Sequence, residues 1–310
     1  MDYKRLRKVF EYFFTWLALY ACSLIFSIIP LKQLYSIAGF LGSFFFRITG
    51  KHRKTALNSL EIAFGNEKNA FQRGEIAHGC FTNLTKSVLE LISLTNGWPA
   101  LRKIQVNLVN REVLDKALEK KKGIILVSAH FGNFPLAIGK LLQNGYGVSV
   151  IARPMRNPRV EKLLSEKIRD FNLRIINSMP RRECIINTLR SLRNNESVFI
   201  LLDQNFGTSG VFVDFFGTKA ATATGPVVLA QRTGSSIVPC FIVRQPDNSH
   251  NIIFEPAVEI IKGKNEEETI ALNVQRITKI IEFYIRLYPE EWGWIHRRWK
   301  SRPKITEGGA

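Results

Sequence analysis

Cysteine is scarce in this chain. The four present, Cys22, Cys80, Cys184 and Cys240, lie far apart and form no CxxC pair, so neither a zinc site nor a disulfide framework is indicated and a reducing, cytosolic setting is the simpler reading. Acidic residues are also few. Against 44 Lys and Arg stand 26 Asp and Glu, a formal charge of +18, which calls for anionic partners: nucleic acid, acidic lipid headgroups or an acidic carrier protein. The chain has no internal repeat, no low-complexity linker and no evident signal-peptidase site. It shows neither a GxSxG elbow nor an obvious Cys–His pair, so an acyl-enzyme formed on serine or cysteine has no visible carrier.

What is present begins with a composition that is 45% hydrophobic and 23% charged over 310 residues, enough for one large α/β domain with a small appendage. The appendage is N-terminal. From Val9 to Ile29 the only charged residue is Glu11, and at about 1.5 Å per residue a helix of that length crosses a hydrocarbon core of about 30 Å. Lys4, Arg5, Arg7 and Lys8 precede it, and a shorter apolar run, Leu34 to Phe46, follows before Lys51, Arg53 and Lys54. Basic residues at both ends favour the cytoplasmic side for both, as in a hairpin, a re-entrant pair or a helix lying shallowly in one leaflet. We therefore divide the chain into a membrane-anchoring helical segment, 1–50, and a catalytic domain, 51–310.

Residues 52–95 read as helices broken at Gly65-Asn66-Glu67. Beyond them, strand-like runs at 104–109, 123–128, 147–152, 172–176, 197–202 and 236–243 alternate with helix-like segments near 111–120, 133–143, 157–170, 181–194 and 225–233. That alternation predicts an α/β fold, a mostly parallel sheet flanked by helices. A last helix, about 266–288, leads into an aromatic and basic end, Trp292 to Lys300.

Of five histidines only His130 ends an apolar strand-like run, Gly123 to Ala129, and enters a glycine-containing turn before a helix. The carboxyl ends of strands are where such sheets place chemistry. A neutral imidazole can take the proton of an attacking hydroxyl near pH 7. Backbone amides at Gly132 and Asn133 are candidate oxyanion donors, with an ordinary strand-to-helix turn as the plainer reading. Asp203 closes the 197–202 run and should emerge at the same edge as His130, either in a turn or behind the imidazole.

The segment His130-Phe131-Gly132-Asn133-Phe134-Pro135 resembles the first signature of the lysophospholipid and lipid A acyltransferases, a His followed five positions later by Asp or Glu. Here that position is Pro135. Four further blocks stand in the family's order: Arg153 to Pro158; Asp203 to Gly207 with Gly210 to Gly217; Ala221 to Pro226 with Arg232-Thr233-Gly234; and Trp292 to Lys300. Together they are similar to the bacterial lipid A biosynthesis acyltransferases from His52 onward.

The resemblance implies a membrane-associated enzyme on the cytoplasmic face of a bacterial inner membrane. It implies an acyl donor carried by acyl carrier protein or coenzyme A, and an acceptor that is an anionic, Kdo-bearing glycolipid. Neither a metal nor a redox cofactor is called for, and nucleic acid is not expected as a partner. His130 is then the general base, and because Pro135 offers no carboxylate, Asp203, ahead of Asp214 and Glu183, is the candidate to orient it. Arg153, Arg156, Gln204, Arg232, Arg297 and Arg298 are the candidates for binding the acceptor. Two alternatives stand beside this: an acyltransferase for another glycolipid or phospholipid, and a catalytically impaired lipid-binding homologue.

Overall fold

Runs of Val, Ile and Leu bounded by Gly, Asn and Ser become the strands of a seven-stranded sheet in the computed structural model, which describes residues 3–94, 98–155, 157–169 and 171–303. Five helices come first: α1 (Tyr3–Ile28), α2 (Leu31–Ile48), α3 (Gly50–Phe64), α4 (Ala70–Leu94) and α5 (Trp98–Lys103). Strands and helices then alternate as β1 (Val106–Val109), α6 (Arg111–Glu119), β2 (Ile124–Ser128), α7 (Phe134–Gln143), β3 (Val148–Ala152), α8 (Pro158–Arg169), β4 (Arg174–Asn177), α9 (Arg181–Arg193) and β5 (Ser197–Leu201). A hairpin of β6 (Val211–Phe215) and β7 (Thr218–Thr222) follows, then α10 (Gly225–Thr233), β8 (Ser236–Arg244), β9 (His250–Phe254) and α11 (Glu266–Leu287).

The strand order is β1-β9-β8-β2-β5-β3-β4. Strands β8, β2, β5, β3 and β4 run parallel, while β9 turns back against β8 and β1 follows β9. The mostly parallel sheet matches the alternation of the sequence. Strand β9 was not expected, because its HNIIF segment is short and opens on two polar residues. Every residue of β2 is buried, as a central strand covered on both faces requires. Ile125, Val127 and Ala129 enter the core shared with α3, α4, α11 and the hairpin, whereas Ile124 and Leu126 enter the core shared with α5, α6 and α7.

Among the described residues no helix is long and apolar enough to cross a membrane. A crossing helix over Val9–Ile29, one of the arrangements that the length of the run allows, finds no counterpart there. Glu11, Thr15, Ser23 and the ring-polar Tyr12, Trp16 and Tyr20 dilute the run. Instead α1 lies against α4 and α8, and α2 packs on α4, where Gly42 allows close approach because a Cβ would stand 2.6 Å from the Thr82 Cα. The opposite sides of both helices stay apolar and exposed, with Phe10, Phe14, Leu24 and Ile28 on α1 and Phe40 and Phe44 on α2.

Candidate active site

Strand register brings His130 and Asp203 together. β2 and β5 are parallel neighbours whose last pair is Ser128 with Leu201, and the ladder continues as the Leu202 amide donates to the Ser128 carbonyl. Two residues further along each strand stand His130 and Asp203, at the carboxyl edge of the sheet. His130 Nδ1 lies 2.9 Å from Asp203 Oδ1. The second carboxylate oxygen accepts from the Trp292 indole N–H at 2.8 Å. Asp203 is wholly buried, whereas the imidazole keeps a third of its side-chain surface, 33%, exposed.

The electrostatics follow from that geometry. Burial alone would raise the Asp203 pKa, but the His130 charge, its hydrogen bond and the indole donor hold the carboxyl well below the ordinary range. Burial likewise presses His130 towards neutrality, and the Asp203 charge and hydrogen bond outweigh it, so its pKa is raised. A carboxylate at Nδ1 keeps that nitrogen protonated, which leaves the Nε2 lone pair facing outward in the neutral ring. Gln204 supplies its present partner: the amide Nε2 donates to His130 Nε2 at 3.1 Å. Gln204 is exposed, so a substrate hydroxyl can take that place. The site can accept a proton at one defined atom.

The loop that carries His130 is fastened by the chain's far end. The Gly132 amide donates to the Glu291 carbonyl at 2.8 Å and the Gly293 amide to the His130 carbonyl at 2.9 Å. Gly132 has φ +56° and presses on the Ile242 carbonyl, where any Cβ would collide; only glycine fits. Asn133 caps α7, its Oδ1 accepting from the Leu136 amide while its Nδ2 donates to Glu90 Oε2 at 2.7 Å. Pro135 sits in the first turn of α7, where a missing N–H costs no helix hydrogen bond.

Behind Asn133 lies a second buried polar cluster. Glu90 accepts from Arg244 at 2.6 and 3.0 Å and from the Tyr35 hydroxyl at 2.7 Å, and stands 3.2 Å from His250 Nε2. It ties α2, α4, the β8–β9 turn and the His130 loop together.

The other candidates divide. Arg153 leaves the carboxyl end of β3, exposed and on the correct edge. Arg297 is exposed and, with Lys300, Lys51, Lys54 and Asn58, lines a groove of about 380 Å³ between α3 and the C-terminal segment. The neighbouring His296 stands 3.3 Å through Nε2 from the Asp203 carbonyl. Arg156 lies outside the described residues.

Three expectations are corrected. The Gly132 amide is committed to Glu291 and cannot donate to an oxyanion. Arg298 is fully buried and spends its guanidinium on Gln204 and Ala221 carbonyls and the Thr222 hydroxyl, so it braces the site from within. Arg232 stands in the last turn of α10, whose chain returns to start β8 beside Ile124, the first residue of β2. That is the opposite edge of the sheet, on the order of 15 Å from His130 for a five-residue strand. Trp292, Trp294 and Trp299 of the aromatic end are core residues packed with Phe64, Phe215 and Phe216.

Trp292, Glu90 and Arg244 were not singled out from sequence as site residues. Trp292 alone carried a signal, as the first residue of the closing block. None of the thiols offers a competing nucleophile beside His130: Cys80 is buried, donates to the Trp292 carbonyl, and burial pushes it up to about 12.

Over residues 1–301 the chain matches the model of the bacterial lipid A biosynthesis acyltransferases. It is 28% identical to the lipid A biosynthesis lauroyltransferase of Escherichia coli over 298 residues, covering 95% of this chain and 94% of that one. The lipid A biosynthesis palmitoleoyltransferase of the same organism is 25% identical over 82% of this chain and 80% of its own length. A phosphatidylinositol mannoside acyltransferase of Mycolicibacterium smegmatis is 22% identical over 63% of this chain and 62% of its own.

Proposed function

The chain belongs to the bacterial lipid A biosynthesis acyltransferase family, and from that premise we propose that it moves a fatty acyl chain from a thioester of acyl carrier protein or coenzyme A to a hydroxyl of a Kdo-bearing lipid A precursor. The observation that carries this reading is one contact: His130, at a strand's carboxyl end, backed by the buried Asp203 at 2.9 Å. An acyltransferase whose acceptor supplies the nucleophile needs a base of this kind and no serine or cysteine.

In the proposed reaction the acceptor hydroxyl displaces Gln204 from His130 Nε2. Its proton passes to Nε2 as the oxygen attacks the thioester carbonyl, and Asp203 stabilises the imidazolium that forms. The tetrahedral intermediate then collapses, the C–S bond breaks, and the imidazolium proton goes to the departing thiolate, leaving an ester and a free thiol. With Gly132 unavailable, the displaced Gln204 amide is the donor to the oxyanion, and the Asn133 backbone amide is the second candidate. No metal or redox cofactor takes part in this scheme. Arg153 and the Arg297 groove serve the anionic part of the acceptor, for which guanidinium is well shaped. The exposed apolar faces of α1 and α2 lie in the cytoplasmic leaflet of the inner membrane, so the site opens where both substrates meet the bilayer.

The test is mass spectrometry of the lipid product from purified protein, acyl carrier thioester and lipid A precursor. A mass gain of one acyl chain that disappears in His130→Ala supports the proposal. Lipid binding without turnover under the same conditions would instead favour an impaired homologue. Pro135, which departs from the family's acid, and the likeness to a phosphatidylinositol mannoside acyltransferase favour one second reading, another glycolipid as acceptor. Acylation of such a lipid in place of the lipid A precursor would establish it.

A further inference from the structure

A larger cavity, about 590 Å³, opens between the start of α2, the middle of α4, the end of α5 and the β8–β9 turn. It lies at the same sheet edge as His130, because β8 ends and β1 begins there. Small-ligand pockets span roughly 300–1,000 Å³. Three lysines from three helices reach it: Lys32 of α2, Lys86 of α4 and Lys103 of α5.

Lys86 is the informative one. It is half-buried, and its Nζ donates to Asn248 Oδ1 at 2.9 Å, a neutral partner. Burial and the neighbouring Arg244 bring its amine below the ordinary lysine range, against the pull of Glu291, Glu90 and Glu290. Glu90 holds Arg244 and His250, the Glu290 carboxylate presses on Gly79, and Glu291, whose pKa burial raises to about 7, offsets only part of the lysine's charge. Asp247, the one acid among the described lining residues, turns its Oδ1 to the amide and hydroxyl of Ser249 at 2.9 and 2.7 Å. A partly desolvated ammonium beside another cation is costly unless an anion shares the space. Next to the mouth the surface changes character. Ile28, 81% exposed, ends α1 three residues before Leu31 of the cavity wall, and Ile37 and Phe40 continue the exposed apolar face along α2.

We infer that this cavity binds the phosphate-bearing headgroup of a membrane lipid, a second lipid beside the one that reacts at His130. Cations inside and apolar side chains at the rim match the two halves of such a molecule. The inference rests on the reading that α1 and α2 lie against the bilayer, and it does not depend on acyl transfer.

The full chain is tested by co-sedimentation with phosphatidylcholine vesicles containing phosphatidylglycerol, without acyl donor. Lys32→Gln, Lys86→Met and Lys103→Gln each lower vesicle affinity about tenfold, whereas Lys262→Gln, an equal loss of charge on a distant exposed lysine, costs less than about threefold. Lys32 and Lys103 are exposed, so their variants fold even if the Lys86 variant does not. Equal losses at all four positions would overturn the site in favour of diffuse attraction. Inorganic phosphate that binds as tightly as the vesicles, and displaces them, would make the ligand a free anion and overturn the lipid assignment. His130→Ala binds vesicles as the unaltered protein does, so a failed acyltransferase assay leaves this result standing.

Discussion

Two buried carboxylates in this molecule each face a histidine, and they do opposite things. Asp203 gives one oxygen to His130 and the other to an indole, so the imidazole is the one titratable group hydrogen-bonded to its carboxylate. Glu90 gives its oxygens to Arg244, Tyr35, Asn133 and His250, and the guanidinium already balances it. Both carboxyls are held far below their usual range. The imidazoles nevertheless diverge: His130 is raised, whereas burial, with Arg244 and Lys140 against it, lowers His250 despite the Glu90 contact. His250 is also sealed, at 0% exposure. In the proposed reading such a pair serves as a base when its carboxylate hydrogen-bonds no guanidinium and one ring nitrogen still reaches solvent. Without those conditions it is a brace.

Breaking the first pair gives the largest effects. His130→Ala removes the proposed base and is expected to lower the acyl-transfer rate by about 10³–10⁴, near the upper range for general-base loss; single-turnover kinetics with a folded variant measures it. Asp203→Asn lowers the rate about as severely, because the imidazole loses both its tautomer and the charge that stabilises its protonated form. An unchanged rate in that variant would show that Pro135 left the histidine with no acid at all.

Breaking the second pair acts on stability. Glu90→Ala leaves the buried Arg244 uncompensated and destabilises the fold by about 3–5 kcal/mol, read by denaturant unfolding. His250→Gln costs less, about 1.5–3 kcal/mol for one hydrogen bond to a charged carboxylate, and leaves the rate within twofold. A rate loss in His250→Gln comparable to that of His130→Ala would erase the distinction between the two pairs.

Acidity sharpens the comparison further. The base must be neutral, so the rate rises with pH through the His130 pKa, and the Asp203 charge places that rise above the ordinary histidine value of about 6.5. In Asp203→Asn the residual activity rises at lower pH, since the raising charge is gone; a pH–rate profile of both proteins decides it. The smallest effect belongs to Arg232→Ala, which stands at the far edge and leaves kcat/KM within about twofold, while Arg297→Ala raises KM for the acceptor by roughly tenfold.

Much of this was legible in the chain. The β2 and β5 runs are continuous apolar segments with turn residues after them, so their ends, and hence His130 and Asp203, could be placed on one edge before any geometry was known. The arginines were harder. Arg297 and Arg298 are adjacent and chemically alike, but one lies in the groove and the other is sealed inside against carbonyls, a difference no local pattern encodes. Arg232 belonged to a family block, yet α10 carries it the length of the sheet away from its own first turn. Trp292 opens a stretch that is basic as well as aromatic, and only the packing shows that the core around Phe215 claims it.

By itself the sequence determined the alternating α/β architecture, the lipid A acyltransferase likeness and the histidine–aspartate candidates, because strand periodicity and turn chemistry are local properties of the chain. Tertiary structure decided which nitrogen of His130 faces outward, that the Gly132 amide is taken, and that Glu90 bonds Arg244 while Asp203 bonds His130 and Trp292. Those depend on which groups compete for each carboxylate and carbonyl, and the competitors lie up to 160 residues away in the chain.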